Sequence, residues 1–274
     1  MSHKVSFREY GHGPILILLH GYGGSVMHWD PVVDQLKTRY RVVVPNMTHL
    51  YMSQDRLLFP VIVEKVREFI EGYFPSTKVS VAGMSFGGAI AWGLALRHPQ
   101  LIERVMLFNP LVADPVPKFL LPEVRYFFVM PMDRAAIVRA FGSPIGQAFL
   151  SRAGEIFRPG REQTSHPVKD LVGRKLEFVA QMIAHFSWIL RNEDWEHWDS
   201  CMGECSVPIL VAWAKDDQLF DPKYYFEFAE KIRSTHKATI HVGGHILTAE
   251  HSGWVVQQIQ EFMDERRRFR RSAA

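Results

Sequence analysis

The stretch Val79-Ser80-Val81-Ala82-Gly83-Met84-Ser85-Phe86-Gly87-Gly88-Ala89-Ile90-Ala91-Trp92-Gly93-Leu94-Ala95-Leu96 decides the fold. Its first four residues make a short strand-forming run, and its last eight follow a helical pattern. Between them sits a G-x-S-x-G match. A strand, a tight turn and a helix in that order expose a serine hydroxyl at the turn. The glycines let neighbouring backbone come close, and the helix N-terminus stabilises developing negative charge. A structural glycine-rich turn is the competing reading, since so short a match also arises by chance. The strand before it and the helix after it favour the chemical reading.

Outward from this stretch, short apolar runs alternate with longer helical patterns, the signal for βα units and a mainly parallel sheet. Strands are expected at 15–19, 41–44, 79–82, 105–108, 209–213 and 239–242, and residues 5–10 could lead as an antiparallel strand. Most of these runs are continuously apolar, as in strands covered on both faces. Helices are expected at 59–73, 86–98, 222–232 and from 252 to about 268. The alternation stops between Leu111 and Ser206. That segment opens with Pro110, Pro115, Pro117, Pro122 and Pro131 among aromatic and leucine residues. It continues with helical patterns at 133–152 and 167–192. The expected organisation is an α/β core at 1–110 and 206–274, with a helical cap inserted at 111–205.

The 274 residues suffice for such a core with an inserted subdomain. With 47% hydrophobic and 22% charged residues, the composition excludes a disordered chain. Two cysteines, Cys201 and Cys205, cannot make a disulfide framework, which points to a reducing compartment. The first nine residues lack the apolar stretch of a signal peptide, and no run of about 18 apolar residues occurs, so a cytoplasmic protein is expected. The formal charge of +3 comes from Arg266, Arg267, Arg268, Arg270 and Arg271; removing these five charges from +3 leaves −2. Such a cluster can bind anionic lipid or nucleic acid. The plainer reading is cations offsetting the dipole at the end of a final helix. Nothing else supports a nucleic-acid partner.

A serine is a weak nucleophile unless a base, held by an acid, takes its proton. Among thirteen histidines, His245 stands out because it follows Gly243-Gly244 on the loop after the last expected strand. His241, inside that strand, and His251, entering the last helix, are poorer placements. The acid is expected where the strand 209–213 runs into Ala214-Lys215-Asp216-Asp217, and spacing leaves both aspartates open. Loops at the carboxyl edge of a parallel sheet are where such sites collect. His20-Gly21-Tyr22-Gly23-Gly24, after the strand 15–19, supplies a loop whose N–H groups can face a developing oxyanion. It is not G-x-G-x-x-G, and no acidic residue follows a second strand, so a dinucleotide site is not expected. His197, Cys201 and Cys205 fall four residues apart, which on a helix would align three zinc ligands. The spacing lacks the paired pattern of structural zinc sites, and free thiols are the better reading.

Taken together, the chain resembles the α/β-hydrolase superfamily. The resemblance covers nearly the whole chain: the His20-Gly21 loop, the elbow at Ser85, the inserted cap, the acid loop and Gly243-Gly244-His245 before a helix. It implies a nucleophile, acid and base in the order Ser85, Asp217, His245. In the family the acid lies three residues beyond the small residue ending its strand, here Ala214, which selects Asp217 over Asp216. The oxyanion donors it implies are the backbone N–H groups of Tyr22 and Phe86. It implies neither cofactor nor metal. Serine at position 85 speaks against the dehalogenase and epoxide-hydrolase branches, which carry aspartate there. One stretch departs from the pattern. Similar proteins usually carry Pro-Asp-x-x-Gly-x-Gly-x-Ser where this chain has Pro45-Asn46-Met47-Thr48-His49-Leu50-Tyr51-Met52-Ser53.

The activity so implied is that of a serine hydrolase on small-molecule carboxylic esters, with an apolar acyl or alcohol group suggested by the aromatic cap. Rivals on the same machinery are thioester cleavage and C–C bond hydrolysis of ring-cleavage products. Proteins of the latter kind commonly have tryptophan after the histidine, where this chain has Ile246. A non-catalytic receptor or scaffold and a peripheral membrane lipase using the arginine tail are rivals of other classes. The natural substrate and the oligomeric state are not legible in the sequence.

Overall fold

A computed structural model describes residues 5–51, 57–112, 136, 139, 143–144 and 176–272. The described residues form a seven-stranded sheet of strands β1 (Phe7–Tyr10), β2 (Ile15–Leu19), β3 (Arg41–Pro45), β4 (Val79–Met84), β5 (Ile102–Phe108), β6 (Ile209–Ala214) and β7 (Thr235–Ile240). They lie in the order β1-β3-β2-β4-β5-β6-β7. β1 pairs with β3 antiparallel, and the remaining pairs are parallel. This is the doubly wound α/β class expected from the alternation of short apolar runs and helical stretches.

The sequence sets the layers through strand periodicity. In β2, Ile17 and Leu19 join the cluster on one face, while Leu16 and Leu18 join the cluster on the other. Among the helices that cover the first face are α3 (Phe59–Tyr73) and α4 (Phe86–Arg97). In α3, Ile62, Val63, Val66, Phe69 and Ile70 are buried, the single stripe of an amphipathic helix. The opposite face carries α1 (Asp30–Leu36) and α9 (Ser252–Ser272), which contribute Val32, Leu36, Val255 and Ile259. All six residues of β4 are buried, so the strand that carries the elbow runs through the middle of the core.

Two expectations are corrected at the far edge. β7 spans Thr235–Ile240 rather than 239–242, with Ile209 paired to Thr235 and Ala214 to Ile240. It is an edge strand, so its Thr-His-Lys-Ala-Thr-Ile sequence alternates between half-buried and exposed and carries no apolar run to mark it. His241 therefore lies beyond the strand. His251 lies between the short helix α8 (Leu247–Glu250) and the start of α9 at Ser252, not within the last helix.

In the region read as a cap, the expected helix 133–152 falls outside the described residues except at isolated positions. The helix expected at 167–192 is described from Leu176 as α5 (Leu176–Asn192), followed by α6 (Trp195–Ser200). Trp195 and Trp198 of α6 pack on Phe59, with centroids 5.1 and 5.0 Å away. Trp198 also meets Trp92 at 5.5 Å, which ties this segment to α3 and α4. Helix α9 runs to Ser272, so the five arginines fall within its range. Among the described residues no helix is long and apolar enough to cross a membrane.

Candidate active site

Ser85 stands at the turn between β4 and α4, with φ 54° and ψ −121°. A non-glycine residue in this region is strained, by about 1–3 kcal/mol, and persists only when its surroundings impose it. The surroundings here are explicit. The Ser85 N–H donates to Phe108 O (3.0 Å), and its carbonyl accepts from Ala89 N (3.1 Å) and Leu111 N (2.9 Å). The turn is so tight that a Cβ at Gly87 would lie 2.3 Å from Leu19 O, and one at Gly83 would lie 2.2 Å from Gly87 O. Only glycine permits either approach. Phe86 opens α4, so its N–H has no acceptor within the helix and points out of the helix N-terminus beside the serine.

The His20-Gly21 loop lies directly against this serine: a Cβ at Gly21 would be 3.1 Å from Ser85 Cβ and 3.6 Å from its Oγ. Gly24 N donates to Gly21 O (3.1 Å), closing a turn that leaves the Tyr22 N–H at its outer corner. His20 holds the loop to the stretch that follows β3. Its Nε2 accepts from Met47 N (3.0 Å), so the ring proton is on Nδ1 and donates to Gly21 O (3.0 Å). Burial pushes His20 down to about 4, against an opposing effect of the Gly21 hydrogen bond. The unfolded chain binds this proton near the ordinary 6.5, so stability contributed by neutral His20 is lost as pH falls from 6.5 to 4. The expected loss is about 3 kcal/mol. Denaturant midpoints measured across that range should fall less steeply for His20→Gln than for the wild type, and equal slopes would contradict this.

Asp217 lies in the loop after β6 and is fully buried. Its Oδ1 accepts from Leu219 N (2.7 Å) and Phe220 N (3.2 Å), and its Oδ2 from Tyr225 Oη (2.6 Å). Oδ2 also meets His245 Nδ1 at 2.8 Å. Burial pushes the carboxyl up, but the His245 charge and these hydrogen bonds outweigh it and hold Asp217 below the ordinary carboxylate range. Tyr225, from α7 (Pro222–Lys231), stays protonated because burial and the Asp217 charge raise it well above the ordinary phenol range. His245 is itself buried, with Phe220 edge-on to its ring at 5.3 Å.

Asp216, the other aspartate left open by spacing, is used differently. Its Oδ1 accepts from Gly243 N (2.8 Å) and Gly244 N (3.0 Å), anchoring the loop that carries His245. Glu250 packs over the same loop, where a Cβ on Gly244 would be 3.0 Å from its Oε2. Burial, together with the charges of Asp216 and Asp217, pushes Glu250 up to about 7 despite the opposing effect of His245. Just beyond His245, Thr248 Oγ1 donates to Met84 Sδ (3.4 Å), joining α8 to the residue before Ser85.

Three contributors were not singled out in the sequence. Asn109, buried with φ 40°, follows β5. Its side chain donates to the Gly244 and His245 carbonyls and accepts from Ala214 N, each at 2.9 Å. Tyr225 gave no local signal. Tyr51 comes from the stretch that departs from the family pattern. Asn46 Oδ1 accepts from Thr48 N (3.1 Å) and starts the short helix α2 (Thr48–Tyr51) there, a start that the asparagine preference for helix caps could have flagged. Tyr51 Oη donates to His20 O (2.9 Å), and its ring stacks on Tyr22 at 5.1 Å. Tyr22 in turn meets Phe186 of α5 at 4.6 Å and Phe86 at 5.6 Å, so the surroundings of the serine are aromatic.

The Asp217–His245 pair presents an imidazole backed by a buried carboxylate. For the metal reading, His197 Nε2 lies 3.9 Å from Cys201 Sγ, while the Cys205 thiol is turned to Val207 O at 3.9 Å. Among the described residues no group of three potential ligands gathers.

Known proteins share this architecture. The chain is 25% identical over 287 residues, 99% of its length and 91% of the relative's, to 2-hydroxy-6-oxo-6-(2'-aminophenyl)hexa-2,4-dienoic acid hydrolase of Metapseudomonas resinovorans. It is also 25% identical over 279 residues, 96% of its length and 99% of the relative's, to the pimeloyl-acyl-carrier-protein methyl ester esterase of Vibrio campbellii. In structure it superposes on a thermophilic esterase from Thermogutta terrifontis with a TM-score of 0.72 at 19% identity, covering 95% of this chain and 93% of the other. Residues 14–252 match the model of the alpha/beta hydrolase fold, and to that family this chain belongs.

Proposed function

We propose that the protein is a serine hydrolase of carboxylic esters with an apolar acyl or alcohol group. The observation that carries this reading is the buried Asp217–His245 pair at 2.8 Å, on the same sheet edge as a serine held at φ 54°. Ser85 Oγ attacks the ester carbonyl while His245 Nε2 takes its proton. Asp217, bonded to Nδ1, fixes the tautomer and stabilises the imidazolium. The N–H groups of Tyr22 and Phe86 hold the tetrahedral oxyanion, a contribution of several kcal/mol to the transition state. The imidazolium then protonates the leaving alcohol. Water, deprotonated by His245, attacks the acyl-enzyme and releases the acid.

From the segment read as a cap, α5 brings Phe186 to the Tyr22 ring at 4.6 Å. The aromatic cluster of Tyr22, Tyr51, Phe86 and Phe186 supports an apolar substrate group, since no formal charge is among these side chains. The name of the Metapseudomonas relative favours a second reading, C–C bond hydrolysis of a ring-cleavage product, by the same residues. No cofactor is needed for either reaction. The test is hydrolysis of p-nitrophenyl esters of increasing acyl length beside a vinylogous dienoic ring-cleavage product. Ester turnover with a kcat/KM that rises with apolar chain length is expected. Turnover of the dienoic acid without ester turnover would shift the assignment to C–C hydrolysis.

A further inference from the structure

Asn109 occupies a left-handed turn, φ 40°, where glycine would be free of strain and asparagine is the tolerated substitute. Its side chain does what glycine could not. The β5–β6 pairing ends at Phe108 and Ala212, yet β6 continues to Ala214. Asn109 N donates to Ala212 O (3.0 Å), and Asn109 Oδ1 then accepts from Ala214 N (2.9 Å), so the side chain extends the ladder by one rung. That rung fixes the residue three before Asp217. The amide Nδ2 donates to Gly244 O and His245 O, both at 2.9 Å, and so grips the base loop by its acceptors. Asp216 grips the same loop by its donors, Gly243 N and Gly244 N. Along the chain Asn109 lies between Phe108, whose carbonyl accepts from Ser85 N, and Leu111, whose N–H donates to Ser85 O. One buried residue therefore touches the frames of the nucleophile, the acid and the base.

We infer that Asn109 is a positioning residue, which locks the loops of Asp217 and His245 to the Ser85 elbow through three hydrogen bonds of one amide. This rests on the serine-hydrolase reading of the site. The loops leave β6 and β7 separately, and the Asp217–His245 bond spans the gap between them. Asn109 bonds the end of β6 and the His245 loop at once. Without it the imidazole would depart from its productive position as the proton moves, and a misplacement near 1 Å costs on the order of a hundredfold in rate.

The test uses Asn109→Asp, which keeps the shape and the acceptor for Ala214 but removes both donors. Asn109→Gly is the second variant, as it relieves the left-handed turn and keeps the test valid should the first not fold. For the folded variants kcat on the best ester should fall on the order of a hundredfold with KM unchanged, and fluorophosphonate labelling of Ser85 should slow in parallel. Added to Asp217→Asn, the same substitution should cost less than tenfold more, because the base is already misoriented. A lowered Tm with wild-type kcat, or a full second hundredfold in the double variant, would overturn the inference and leave a purely structural role. Absence of labelling at Ser85 in the wild-type protein would overturn the reading of the site itself, and the inference with it. Labelling of the wild type with unchanged rates in both variants would remove the inference alone.

Discussion

In the Ser85→Ala variant, kcat on an ester substrate falls by several orders of magnitude, on the order of 10⁶-fold. The fold is expected to survive. Alanine keeps the Cβ of serine, so the backbone at φ 54° is no more strained than before, and the bonds to Phe108, Ala89 and Leu111 involve main-chain atoms that remain. The serine side chain is only half-buried, so removing its hydroxyl should change stability by no more than about 0.5 kcal/mol. Residual turnover above the uncatalysed rate would come from the oxyanion donors and from binding. Steady-state kinetics beside a thermal melt separate the two effects. A wild-type melt with lost activity is the expected pair, and retained activity would remove Ser85 as nucleophile.

The second large effect is at the acid. Asp217→Asn is expected to lower kcat on the order of 10⁴-fold, whereas Asp216→Asn should cost less than tenfold. The difference follows from what each oxygen accepts. All the partners of Asp217 are donors: Leu219 N, Phe220 N, Tyr225 Oη and His245 Nδ1. An amide nitrogen in that ring must face at least one donor, and if it faces His245 the imidazole takes the wrong tautomer. Asp216 uses Oδ1 for both glycine N–H groups, and an asparagine carbonyl can keep those bonds. Comparing kcat/KM of the two variants decides the point. A larger loss at position 216 would mean that the acid has been misassigned.

Much of this was legible in the sequence because the decisive features are local. The Gly83–Gly88 turn, the apolar run into Ala214 and the pair Gly243-Gly244 before His245 each announce a strand end followed by a loop. Placement of these loops at the carboxyl edge then follows from the rule for parallel sheets. What stayed hidden depends on partners far along the chain. The preference between Asp216 and Asp217 came from family resemblance, and their different bonds appear only when the loop at 243–245 is folded beside them. Asn109 reads as an ordinary turn residue before Pro110, yet its side chain reaches more than a hundred residues in sequence, to Ala214, Gly244 and His245. The start of β7 was missed because an edge strand has one exposed side and needs no apolar run. The helix Thr48–Tyr51 was missed because the expected pattern of glycines there is replaced by a capped turn, which the bond from Thr48 N to Asn46 marks.

The same contrast separates the firm parts of the architecture from its chemistry. Core strands are specified by what each residue excludes from water, which its own type declares. A catalytic site is specified by hydrogen bonds between groups that any polar residue could offer. His20 illustrates the point: its place in His20-Gly21 is plain in the sequence, but its neutral tautomer follows from the Met47 N–H that it accepts. That bond also couples the His20-Gly21 loop to the departing stretch 45–51, so the atypical segment still packs beside Ser85.

The central claim is that Ser85 is an activated nucleophile, and labelling of the 274-residue chain with a fluorophosphonate probe, followed by peptide mapping, tests it most directly. A single adduct on the peptide containing Ser85 is predicted, absent from Ser85→Ala. Folded protein that takes no label, or takes it at another residue, would contradict the claim and put a ligand-binding, non-catalytic use of this fold in its place.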